Sequence, residues 1–220
     1  MSSDSGINSR RAYNSAHPCA VQHCGKRRRG LSGYCAHHER ARNLYGSPHG
    51  YRVSPQWYAS ERKEVFAFLT QHKDHRAIHI ATEMLIECLE GASEGRPMAH
   101  CGQWLRLQSA GVTARDILTE VGALFLYTYR RPNSLPDDDR LTYALGTAVL
   151  HLAPRTSSTV WVNGHRELRY ARLGGKPRKA FGESMRECFA LLFLQMYHAM
   201  EEGKRKKVAL REALEEPFSV

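Results

Sequence analysis

Four residues near the start of the chain have types and spacing that could do chemistry together: Cys19, Cys24, Cys35 and His38, in the order Cys-x4-Cys-x10-Cys-x2-His. Thiolate and imidazole are donors that a tetrahedral zinc ion accepts, and four of them close its coordination shell. A closed shell leaves no position for water or substrate. The expected cofactor is therefore a structural Zn2+, and no catalytic residue is assigned. The first pair, in CAVQHC, can turn at a tight knuckle that aims both sulfurs inward, and Gly25 follows where a knuckle often needs free backbone. The second pair, in YCAHH, opens a helix on which a spacing of three puts Cys35 and His38 on one face. His37 is the competing fourth ligand, with His38 preferred on helical geometry. So short a segment has too little core to fold alone, so the metal would supply its folding energy.

Charge gathers around this constellation. The chain carries a net charge of +10, and residues 1–56 hold nine Lys and Arg against two Asp and Glu. Lys26, Arg27, Arg28 and Arg29 run unbroken between the two ligand pairs, Arg40 and Arg42 continue on the expected helix, and Arg10, Arg11 and Arg52 flank it. Such side chains neutralise phosphates and release counterions, which gives strong, salt-sensitive and weakly sequence-specific binding. Tyr34, Tyr45 and Tyr51 interleave with the charges and could stack on exposed bases. Lys26, Arg27, Arg28, Arg29, Tyr34, Arg40, Arg42 and Arg52 are therefore the candidate nucleic-acid-binding residues, with DNA expected over RNA. The bland alternative is a solvated loop that keeps the protein soluble.

The stretch from Cys19 to Pro48 reads C-x4-C-G…G-x2-G-Y-C-x2-H-x-R-x-R-x3-G-S-P. It resembles a short zinc-binding motif of bacteriophage and prophage proteins, which often precedes HNH-type endonuclease or other DNA-binding segments. Tyr34, Cys35, His38, Arg40, Arg42, Gly46 and Pro48 carry the match; His37-His38-Glu39 and Ser47 depart from the pattern. The resemblance covers about 30 residues. It implies zinc, DNA and a phage setting, with action in replication, transcription control or phage–host regulation.

The remaining chain must position this module. Residues 1–16 read as a disordered basic arm, 17–48 as the zinc-binding module, 49–56 as a Gly/Pro/Ser linker, 57–203 as a helical domain, and 204–220 as a charged tail. The fold class is mainly α, with one β-hairpin near 159–173. Apolar periodicity predicts helices over roughly 58–72, 75–91, 98–109, 113–131, 137–153 and 177–202. Thr113 and Asp116 stand where a capping box would, and Asp137 to Asp139 suit a helix N-terminus. Asn163-Gly164 favours a tight hairpin turn. A second basic stretch, Arg166, Arg169, Arg172, Lys176, Arg178 and Lys179, could form a wing or an edge protected by charge. Trp104 to Leu126 permits a helix-turn-helix.

Two further readings compete with nucleic-acid binding. The basic module could dock an acidic surface on a host polymerase or a defence protein, and the helical domain could dimerise or dock such a partner. An HNH-like nuclease would need metal-holding and general-base groups around Asn163-Gly164-His165. No His-Asp or His-His pair precedes that hairpin. The N-terminal residues lack an apolar signal region and no run of 18 apolar residues occurs, so the expectation is a cytoplasmic protein without membrane contact. The other three cysteines, Cys88, Cys101 and Cys188, fall in helical patterns and read as reduced thiols.

Overall fold

The computed structural model describes the backbone of residues 4–96, 99–135, 137–154, 157–162, 165–170 and 174–215, and the side chains of these except 4, 5, 157–162, 165–170 and 210–215. The chain is mainly helical. Its elements are α1 (Asp4–Ala16), α2 (Ala36–Tyr45), α3 (Ala59–Gln71), α4 (Arg76–Ser93), α5 (Cys101–Ser109), α6 (Ala114–Arg130), α7 (Asp138–His151), β1 (Ser157–Val162), β2 (His165–Tyr170) and α8 (Gly175–Glu215). The two strands pair antiparallel, with Ser157 opposite Tyr170 and Val162 opposite His165. Asn163 and Gly164, on which the expected turn falls, lie outside the described residues.

The chain divides into two compact units, Met1–Pro55 with Leu135–Glu183, and Gln56–Ser134 with Ser184–Val220. This differs from the expected linear series of module, linker and one helical domain. The reason is visible in the first unit. The C-terminal end of α2 is received by α7 and by the first turns of α8. Gly46 ends α2 in the left-handed region (φ 80°), where its N–H donates to the Arg42 carbonyl. A Cβ on Gly46 would stand 2.8 Å from the Asp139 carbonyl oxygen. Gly175 lies more tightly still against the Asn43 carbonyl, and the Arg178 Nη1 donates to the Leu44 oxygen at 3.2 Å. Gly146 of α7 and Gly182 of α8 let those two helices touch backbone to backbone, against Arg178 and Thr142 respectively. Residues 49–54 follow α2 without regular structure, a short 3-10 turn begins at Pro55, and Arg140 helps hold the segment, its guanidinium lying 4.5 Å from the Tyr51 ring centre.

In the second unit, α6 is the central element. Its start is the expected capping box: the Asp116 N–H donates to Thr113 Oγ1 at 3.2 Å, and the Thr113 N–H returns to Asp116 Oδ2 at 2.9 Å. Residues 117–126 are all buried. Gly122 makes room for the Phe193 ring of α8 and the Val65 side chain of α3. This burial overturns the helix-turn-helix reading, because a recognition helix must present one face to a groove. Two buried carboxylates join the helices: Glu61 accepts from Arg131 at 2.7 Å, and Glu120 accepts from Tyr58 at 2.6 Å and pairs with Arg62 at 2.7 Å.

Both expected tails are corrected. Residues 4–16 form helix α1, and α8 continues through the expected charged tail to Glu215. Gly203, one residue past the expected helix end, sits inside α8 with open space around it. Lys204 explains the continuation: it reaches Glu64 at 2.9 Å and Glu201 at 3.4 Å, and Lys206 pairs with Glu202 one turn back.

Candidate metal centre

The metal centre is built from two turns of backbone pinned side by side. Residues 17–19 run antiparallel to 26–28: the Cys19 N–H donates to Lys26 O at 2.9 Å and the Arg28 N–H to His17 O at 3.0 Å. The strip then crosses to the second ligand pair, with Ala20 N donating to Gly33 O at 3.0 Å and Arg29 N to Tyr34 O at 2.9 Å. Between these ladders the first knuckle closes by Cys24 N donating to Val21 O at 3.2 Å. The residue that turns it is His23, in the left-handed region at φ 59°. Gly25, expected to supply that freedom, has no positive φ; the second left-handed position of the module is Gly30 at φ 60°.

Cys35 stands just before α2 with extended backbone (φ −70°, ψ 165°), and His38 follows on the first turn. The ligand atoms of Cys19, Cys24, Cys35 and His38 all lie within 4.8 Å of one another and could hold a metal ion. Cys19 Sγ is 3.3 Å from His38 Nδ1, Cys35 Sγ is 3.5 Å from the same nitrogen, and Cys24 Sγ is 3.9 Å from Cys35 Sγ. Cys19 and Cys35 are buried, and with Val21 they form the small apolar centre against which Cys24 and Tyr34 pack. His38, not His37, supplies the converging nitrogen; the His37 ring stands edge-on to it at 5.2 Å.

The electrostatics at Cys35 and His38 favour the forms that bind metal. The His38 and His37 backbone N–H groups at the start of α2 draw the Cys35 thiol below its ordinary range. Burial, with the neighbouring His37 and His49, holds His38 toward neutral imidazole. Cys24 goes the other way: the Lys26 N–H lowers its pKa, but burial and the crowding of Cys35 and Cys19 raise it more. Three sulfurs this close repel as thiolates, and a cation among them removes that repulsion.

The basic residues surround this centre without all being alike. Lys26, Arg27, Arg29, Arg40, Arg42 and Arg52 are exposed. Arg28 is half-buried and its Nε donates to Pro18 O at 2.9 Å, so part of its charge serves the loop itself. Tyr34 is half-buried, with the Arg42 guanidinium 5.6 Å from its ring centre. In the second basic stretch, Arg178 ties α8 to α2 and Lys179 lies 3.6 Å from Glu183. The side chains of Arg166, Arg169 and Arg172, and of His165 in the nuclease reading, lie outside the described residues. Asp137 caps α7, its Oδ1 accepting from Arg140 N at 2.7 Å.

No family model matches the chain, and no curated protein or solved structure matches it. Among the described residues, no other group of three or more His, Cys, Asp and Glu converges in this way, and no helix is long and apolar enough to cross a membrane. Two features escaped the sequence reading. One is the seating of α1 on the module, in which buried Asn14 bonds the Gly30 carbonyl and Arg27 bonds the Ser15 carbonyl. The other is the pair of buried carboxylates; Glu120 interrupts an apolar stripe, which was the available signal.

Proposed function

We propose that this protein is a zinc-containing nucleic-acid-binding protein of the kind bacteriophages carry, with DNA as its ligand and no catalysis of its own. The observation that carries the zinc assignment is the size of the four-donor cluster. Zn–S bonds of about 2.3 Å and Zn–N bonds of about 2.0–2.1 Å, set tetrahedrally, give edges of about 3.8 Å between sulfurs and about 3.6 Å from sulfur to nitrogen. Three of the six edges here are 3.9, 3.5 and 3.3 Å, and all four donors lie within 4.8 Å of one another. Soft thiolates with one imidazole suit zinc better than the hard cations, which want oxygen. Four protein ligands complete the shell, so the ion's work is to hold the module folded.

What the module holds is the Lys26–Arg29 loop. Backbone bonds fix both of its ends, and Lys26, Arg27 and Arg29 stay exposed. Fixed cations facing solvent suit a phosphate backbone. The helix α2 adds Arg40 and Arg42, and the coil after it adds Arg52. The acting process would be replication, transcription control or regulation of the host.

The test is a loop variant in which Lys26, Arg27, Arg28 and Arg29 are all replaced by Ser. One zinc per chain is expected in both proteins by elemental analysis. DNA affinity at low salt should fall by at least tenfold in the variant. Unchanged affinity would remove the nucleic-acid reading, and absence of zinc from the purified full chain would remove the metal assignment.

A further inference from the structure

Helix α8 carries two opposite lines of side chains. One line, Phe189, Phe193 and Met196, is buried in the second unit. The other, Glu187, Leu191, Leu194 and His198, is exposed. Leu191 is 67% exposed, more than any other large apolar side chain among the described residues, and Leu194 lies one turn on. Single exposed leucines are ordinary on a protein surface. The setting of this pair is not.

The four outward residues are spaced four, three and four apart, in Glu-x3-Leu-x2-Leu-x3-His. That is the spacing of a coiled-coil seam, which keeps one line of a helix against a partner helix. The spacing also reads the same from either end. A two-fold contact between identical helices requires this, because each residue must meet the image of another on the same patch. With two copies antiparallel about the midpoint between Leu191 and Leu194, Leu191 of one copy meets Leu194 of the other, and Glu187 meets His198. The Glu187 carboxylate can then accept from the imidazole N–H at each end of the leucine layers. Parallel helices would set Glu187 against Glu187 and His198 against His198, like against like.

We infer that this face is a homodimer interface, in which α8 of one copy packs antiparallel on α8 of a second, the leucines at its centre and a Glu187–His198 pair closing each end. The seam spans about 17 Å at a rise of about 1.5 Å per residue. Its residues belong to the second unit, whereas the metal ligands and the Lys26–Arg29 loop belong to the first. The contact therefore uses none of the residues assigned to nucleic acid, and a dimer brings two basic modules into one particle.

Analytical ultracentrifugation of the zinc-loaded full chain, free of nucleic acid, tests this. The parent should sediment as a dimer at about 100 µM and dissociate on dilution, because so short a seam belongs to the weak class of interface. Leu191→Glu changes an exposed residue and leaves the buried line alone; that protein should be monomeric at the same concentration. His198→Glu sets carboxylate against carboxylate and should weaken the dimer about tenfold. Adding Glu187→Lys to His198→Glu should restore the dimer to within about threefold of the parent, since the two new charges meet only when the helices run antiparallel. Loss of folding cannot produce that recovery. A parent that stays monomeric at the highest concentration, or a Leu191→Glu protein that dimerises as the parent does, would overturn the interface. A double variant no tighter than His198→Glu alone would overturn the antiparallel register, and the inference with it.

Discussion

The Asn14 side chain donates to the Gly30 carbonyl oxygen at 2.9 Å, and this bond joins the N-terminal helix to the loop between the metal-ligand pairs. Asn14 is 6% exposed, while Gly30 on the other side of the bond is exposed. Asn14→Ala removes the donor and lets water take the Gly30 carbonyl, a net change of about 0.5–1.5 kcal/mol. Because the bond is local, its loss should appear as local opening. Hydrogen exchange of residues 6–16 should accelerate severalfold, up to about tenfold, while zinc content is unchanged. Equal protection in the variant would show that α1 is held by something else.

The module, by contrast, should stand or fall with its ion. Cys24→Ser or Cys35→Ser removes one of four ligands, and a strong chelator removes the metal itself. Either should unfold residues 17–35 and loosen α2, whose first turn carries His38. Structural zinc sites in short peptides contribute about 10–16 kcal/mol of folding energy. The loss should also reach α7, since Gly46 at the end of α2 sits against Asp139. Heteronuclear NMR of the chelated protein should show shifts at residues 138–143 as well as in the module. Shifts confined to residues 17–45 would mean that α2 docks on α7 whatever the state of the metal.

Much of this arrangement was legible in sequence. The ligand set followed from donor types at fixed spacing, and each core helix followed from apolar periodicity, with the Thr113–Asp116 box placed to the residue. What was not legible has a common physical cause. Ser5, Gly6, Asn8 and Ser9 lower helix propensity, and the contacts that offset them include bonds to residues 12 and 16 positions along the chain. The expected helix end near 202 falls short because nothing local shows that Lys204 meets Glu64 on another helix. The grouping of residues 1–55 with 135–183 depends on glycines at 46, 146, 175 and 182 allowing backbones to touch, and a glycine in sequence does not say what approaches it. Local chemistry is written locally; contacts between distant segments are not.

His23 is the left-handed residue of the first knuckle, at φ 59°, and it carries a Cβ that this region disfavours. It is exposed, so its side chain contributes no core packing. His23→Gly should therefore stabilise the loaded module, by about 0.5–1 kcal/mol once the greater freedom of the unfolded glycine chain is set against the relieved strain. Thermal unfolding followed at saturating zinc measures it. A lower Tm would mean that the imidazole makes an interaction worth more than the strain.

Arg130 grips Glu64 through both terminal nitrogens at 2.8 Å, and Lys204 approaches the same carboxylate at 2.9 Å. The Arg130 hydrogen bonds, with Lys204 assisting, draw the Glu64 pKa down to about 2. The sign follows from the direction. A depressed carboxylate stabilises the fold fully above its unfolded value near 4.5, and the contribution disappears as pH falls from there through about 2. Because the Glu64 side chain is 32% exposed, solvent screening reduces the effect to about 1–2 kcal/mol. Glu64→Gln should lower stability at pH 7 by about that amount and flatten the dependence between pH 4.5 and 2, since the amide has no proton to take up. Urea unfolding across that range, with zinc omitted from both proteins so that ligand protonation does not contribute, reads the difference. An acid limb of the same slope in the variant would assign the acid sensitivity to other carboxylates, with Glu61 beside Arg131 the next to test.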